Sequence, residues 1–104
     1  MMKTYTICGS MRFAKEMQQI AYELVTQKGY DILQCIYSGT RTPTEQEYKN
    51  IQTAHFHRID ISDGIYVLNI GGYVGEATLK EIEYAKKHNK EIVYHEQQET
   101  ETQF

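Results

Sequence analysis

No stretch of this chain stays apolar for the roughly 18–20 residues that a membrane helix needs, so no membrane-spanning helix is expected. Met1 to Ile7 holds a single Lys and no long apolar run. A secretory signal is therefore not expected either, and the cytoplasm is the expected location. Basic charge is also in short supply: 11 Lys and Arg stand against 14 Asp and Glu, a formal net charge of −3. Proteins that grip a nucleic-acid backbone carry a clustered basic face, and this chain has none. A small nucleotide remains a possible ligand, because one local cation suffices for it. Cysteine is limited to Cys8 and Cys35, each inside an apolar run, and both read as buried thiols in a reducing compartment. No Cys/His spacing marks a zinc site, so neither a metal nor a cofactor is expected. With 104 residues the chain can bury roughly 60–65% of its unfolded surface, enough for one core. Proline occurs once against nine tyrosines, a balance that suits strands and phenol-lined clefts or interfaces.

The pattern along the chain alternates. Lys3–Cys8 is β-branched and aromatic and stops at Gly9-Ser10, which predicts a buried strand and a turn. From Met11 to Lys28, Phe13, Met17, Ile20, Ala21, Leu24 and Val25 recur every three or four residues. That spacing predicts a helix, with Gly29 as its left-handed stop. Tyr30–Tyr37 reads as a second strand, followed by a polar loop to Pro43. Thr44 with Glu47 fits a capping box, opening a helix through Ile51 and Phe56 towards Ile59 or Ile61. Gly64–Asn69 is a continuous apolar strand of the kind buried on both faces. A glycine-rich loop, Ile70–Gly75, leads to a helix over Ala77–Asn89, with Leu79, Ile82 and Ala85 or Lys86 facing inward. Glu91–Tyr94 is the last strand. The domain spans 1–95, and 96–104 is a polar, frayed tail.

Strands that alternate with helices predict a small α/β domain: a Rossmann-like, flavodoxin-like three-layer α/β/α sandwich on a parallel sheet of four to five strands. The strands at 4–8 and 64–69 should be adjacent at its centre, with 91–94 beside the latter. Ligands of such sheets sit beyond the carboxyl ends of the strands, which puts three loops at the site: Gly9–Phe13, Tyr37–Pro43 and Asn69–Thr78.

Three clusters carry possible chemistry. Gly9, Ser10 and Arg12 offer a close backbone approach, a hydroxyl, a forked cation and a helix start suited to an anion. They equally suit a turn, a helix cap and a solvated arginine. Glu76 and Glu81 fall near the start of the helix after the glycine-rich loop. There a carboxylate is held ionised and can serve as a nucleophile or stabilise an oxocarbenium ion. They equally satisfy the helix dipole alone. His55 and His57, with Arg58, Asp60 and Asp63, are an acid/base cluster or an exposed helix end.

In order along the chain, Ile7-Cys-Gly-Ser-Met-Arg12, Ser62-Asp-Gly-Ile-Tyr-Val-Leu-Asn69, Thr78-Leu-Lys-Glu-Ile-Glu-Tyr-Ala85 and Asn89-Lys-Glu-Ile-Val93 resemble segments of the nucleoside 2-deoxyribosyltransferase-like family. The opening is most similar to the deoxynucleoside 5′-monophosphate N-glycosidase branch. The resemblance implies cleavage of the N-glycosidic bond of a nucleoside or nucleotide, by hydrolysis or by transfer to a second base. It puts Glu81 on the catalytic nucleophile and Gly9, Ser10 and Arg12 on the loop that holds the 5′-phosphate. Asn69, Gly75 and Thr78 complete the candidate substrate-binding set. It also implies a homodimer, since related proteins complete the site from a neighbouring subunit. The chain departs from the family at Glu83, where a Gly is usual, and at Gly75, where Ser or Asp is usual. His55 or His57 stands where a second acidic residue is usual, and these two are the candidate acid/base partners. A non-catalytic module that senses a nucleotide or sugar-nucleotide is the alternative. It would need only the phosphate loop.

Overall fold

The computed structural model describes residues 2–37 and 41–97. The element order is β1 (Thr4–Cys8), α1 (Ala14–Lys28), β2 (Asp31–Leu33), α2 (Glu45–Asp60), β3 (Gly64–Val67), α3 (Glu76–Lys87) and β4 (Glu91–Tyr94), with short 3-10 turns at Met11–Phe13 and Ile70–Gly72. The four strands form one sheet in the order β2-β1-β3-β4, and every pairing is parallel. The expected central pair is present, with Thr6 opposite Ile65 and Cys8 opposite Val67.

Side chains of β1 and β3 alternate between two cores. Tyr5, Ile7, Tyr66 and Leu68 pack with Met17, Ala21 and Leu24 of α1. Cys8, Ile65 and Val67 pack with Ile59 of α2 and with Ile82 and Ala85 of α3. This places α1 on one face and α2 and α3 on the other, the expected three layers. The central strands are apolar throughout because both faces are covered. Each fully buried Ile or Val contributes about 1.5–3 kcal/mol to that packing.

Local chemistry explains most boundaries. Gly29 adopts φ 72° and its N–H returns to Leu24 O, ending α1 as expected. Thr44 and Glu47 form the full capping box at the start of α2. Other boundaries differ from the sequence reading. The second strand ends at Leu33, not Tyr37, because the carbonyl of Gln34 turns to accept from Arg58 on α2. Ile82 and Ala85 face inward on α3 as expected, but Leu79 is exposed at 51% and Thr78 is buried in its place. Glu96 is not frayed. Its N–H donates to Asn69 Oδ1 (2.8 Å), its carbonyl accepts from Asn69 Nδ2 (2.9 Å), and its carboxylate accepts from Gly71 N–H. The loop expectation at 38–40 and the tail expectation at 98–104 lie outside the described residues. Among the described residues, no helix is long and apolar enough to cross a membrane.

Candidate functional site

The chain runs outward from β1 to β2 through α1, then crosses back through α2 to β3 on the other side of β1. Such a reversal leaves a crevice beyond the carboxyl ends of the two central strands. A cleft of about 460 Å³ lies there. Gly9, Ser10 and Met11 follow β1 into it, and Tyr48, Gln52 and His55 reach it from α2. Gly75, Glu76, Thr78 and Glu81 line it from the start of α3. Its mouth is apolar: Met11, Ile36, Tyr48 and Tyr73 all line it and are all exposed.

Three side chains from three elements converge at its floor, where His55 and Glu81 line the cleft and Cys8 is fully buried behind that lining. Cys8 Sγ, at the end of β1, is 3.4 Å from His55 Nε2 on α2. The same nitrogen is 3.5 Å from Glu81 Oε1 on α3. His55 is buried and the Glu81 side chain is 17% exposed, so the carboxylate is the member nearest the open cleft. Burial, first, and the Glu81 carboxylate, second, push the Cys8 thiol well above its ordinary range. The same two causes push Cys35 up to about 12. Both thiols are free.

Glu81 is the sixth residue of α3, so it sits in the second turn. The dipole acts within the first turn, where Glu76 lies. The expected dipole support therefore falls on Glu76, and His55 is the group that faces Glu81.

No protein-family model, curated protein or solved structure matches the chain significantly. Function is read from the cleft itself.

The structure gathers some of the sequence candidates and disperses others. Gly9, Ser10, Gly75, Thr78, His55 and Glu81 line one cleft. A side chain at Gly9 would meet Met17 Sδ at 3.1 Å and Leu68 Cβ at 3.2 Å, so any larger residue here would press on the core. Ser10 Oγ accepts from Arg12 N–H at 3.3 Å, capping the short 3-10 turn. Arg12 lies over the Tyr73 ring, 3.9 Å from its centroid. Gly75 begins α3 without a side-chain cap, and a Cβ there would be 3.8 Å from Ser10 Cβ. The start of α3 and Ser10 thus lie side by side.

His57 is exposed and lies outside the cleft lining, on a different face of α2 from His55. Asn69 is buried and spends both ends of its amide on Glu96. Its role is to clamp the glycine-rich loop, not to line the cleft. Cys8 was legible as a buried thiol, and the burial is present. Its approach to His55 and Glu81 was not legible, because the three residues share no local spacing. The one signal was its position, in step with Thr6 on the β1 face that α2 and α3 cover.

Proposed function

We propose that the cleft binds a nucleoside 5′-monophosphate and that the protein cleaves its N-glycosidic bond, as the resemblance to the nucleoside 2-deoxyribosyltransferase-like family implies. The observation that carries this reading is the Glu81 carboxylate, paired with His55 at 3.5 Å, at the floor of the cleft whose rim holds Gly9 and Ser10. The 5′-phosphate takes the corner where Ser10 meets the uncapped start of α3, an arrangement of free N–H groups that suits an anion. Arg12, over the ring of Tyr73, which lines the cleft, offers its N–H groups to a phosphate oxygen. The apolar mouth suits the faces of a nucleobase.

The chemistry follows from that placement. Glu81 meets the anomeric carbon as the bond to the base breaks, the electron pair leaving with the base, which takes a proton from solvent; the attacking water later returns one. Water then attacks the same carbon and releases Glu81. The proton gained by the base and the hydroxyl gained by the sugar sum to one water; in transfer, a second base takes water's place. Groups acting on opposite faces of a sugar in a retaining reaction stand about 5–5.5 Å apart. His55 is closer to Glu81 than that, so in this reading it orients Glu81 and solvent protonates the leaving base.

The same reading takes the protein as a cytoplasmic homodimer whose partner covers part of the apolar mouth; light scattering coupled to size exclusion checks the mass. The activity test is chromatography of free base after incubation with nucleoside and deoxynucleoside 5′-monophosphates. Wild type should release base, and Glu81→Gln should bind the nucleotide and release none. Tight binding without release by the wild type would replace the enzyme with the nucleotide-sensing module.

A further inference from the structure

Three donor atoms of different chemistry lie within 4.8 Å of one another at the cleft floor: Cys8 Sγ, His55 Nε2 and Glu81 Oε1. We propose that they form a three-ligand site for a thiophilic divalent metal ion, Zn²⁺ in the first place, with the fourth position open to the cleft. Thiolate, imidazole and carboxylate are the ligands zinc takes. With bonds of about 2.0–2.3 Å around a tetrahedron, neighbouring ligand atoms stand roughly 3.3–3.8 Å apart. The Cys8–His55 and His55–Glu81 separations, 3.4 Å and 3.5 Å, fall in that range, and Cys8 Sγ and Glu81 Oε1 lie within 4.8 Å of each other.

The frame is suitably stiff. Cys8 ends a central strand with no exposed surface, and His55 is fixed on a sixteen-residue helix capped at its first turn. Glu81 comes from a third element and borders the cleft, which gives the ion its way in. Three protein ligands with an open fourth position is the arrangement of a reactive zinc site rather than a closed structural one. Hard cations such as Mg²⁺, which prefer six oxygens, do not suit this donor set.

Binding needs only these three side chains and does not rest on the glycosidic reading. One consequence does rest on it: a carboxylate engaged by metal cannot meet an anomeric carbon, so Zn²⁺ would inhibit base release.

The test is titration of the reduced, tag-free, metal-free protein with Co²⁺, followed by absorption. One ion per chain should bind, with a thiolate-to-cobalt charge-transfer band and the intense visible bands of four-coordinate cobalt, and Zn²⁺ should displace it. Cys35→Ser should keep the band. Cys8→Ser should lose it while retaining the wild-type circular dichroism. Because Cys8 is buried, Glu81→Gln provides a second probe at a residue that borders the cleft. It should weaken Co²⁺ by more than the ten- to hundredfold that losing an outer-shell partner costs. A weak six-coordinate spectrum, a band that survives Cys8→Ser, or unchanged affinity in Glu81→Gln each overturns the site. Because the spectrum is read without substrate, failure of the metal site and failure of the glycosidase reading are told apart.

Discussion

Arg12 and Tyr73 join two loops that meet only in the folded chain. Their contact, 3.9 Å from guanidinium carbon to ring centroid, sets the Arg12 charge over the ring, and the guanidinium carries five N–H donors. A charge-assisted hydrogen bond contributes about 1.5–3 kcal/mol. Arg12→Ala should therefore weaken 5′-monophosphate binding by about ten- to a hundredfold and leave an unphosphorylated nucleoside nearly unaffected. Calorimetry with both ligands measures this, and an equal loss for both would remove the phosphate from this corner. The thiols make a second residue-scale case. Thiolate is the reactive form, and burial holds both Cys8 and Cys35 protonated far above neutrality. Native protein at about pH 8 should react slowly with a disulfide reagent, and denatured protein should react at both cysteines at once. Fast native labelling of Cys8 would contradict its burial.

At the scale of elements, α2 shows how much a helix start depends on one side chain. Thr44 accepts from Glu47 N–H at 3.1 Å while Glu47 accepts from Thr44 N–H at 2.9 Å; Glu47 also holds Arg41 at 2.9 Å. Loss of such a cap costs about 1 kcal/mol, so Thr44→Ala should lower the urea midpoint by that equivalent with an unchanged slope. The capping box was readable because it is local, as were the Gly29 stop and the apolar runs of β1 and β3. The end of β2 was not, because the Arg58 side chain that captures the Gln34 carbonyl comes from the next helix. On α3 the inward Ile82 and Ala85 were readable, and Leu79 alone was not. Leu79 is the more hydrophobic residue, yet Thr78 is the one the fold buries. Hydropathy ranks side chains, whereas burial follows the helix's rotation against the sheet.

The whole molecule sets the relation between pH and stability. Burial pushes Cys35 from an ordinary 9.0 to about 12 and Tyr5 from 10.0 to about 12. The folded chain holds both protons more tightly than the unfolded chain does. That contribution is complete below about pH 9 and is lost as pH rises towards about 12. Urea unfolding should therefore show lower stability at about pH 10.5 than at about pH 8, with a smaller fall in Cys35→Ser. The crevice itself was legible, since alternating strands and helices imply it. The meeting of Cys8, His55 and Glu81 within it was not, because each lies on a different element. The last strand has a further consequence. Beyond it, His95 N–H continues to Val67 O, and Glu96 fastens Asn69 and Gly71. The glycine-rich loop beside the cleft is thus anchored by backbone that follows the sheet, so a boundary for trimming or tagging drawn after Tyr94 cuts that anchor away. A chain stopped after Tyr94 should keep its sheet while the Gly71 amide exchanges faster with solvent, so that shortening the polymer by a few residues loosens the ligand site before it loosens the fold.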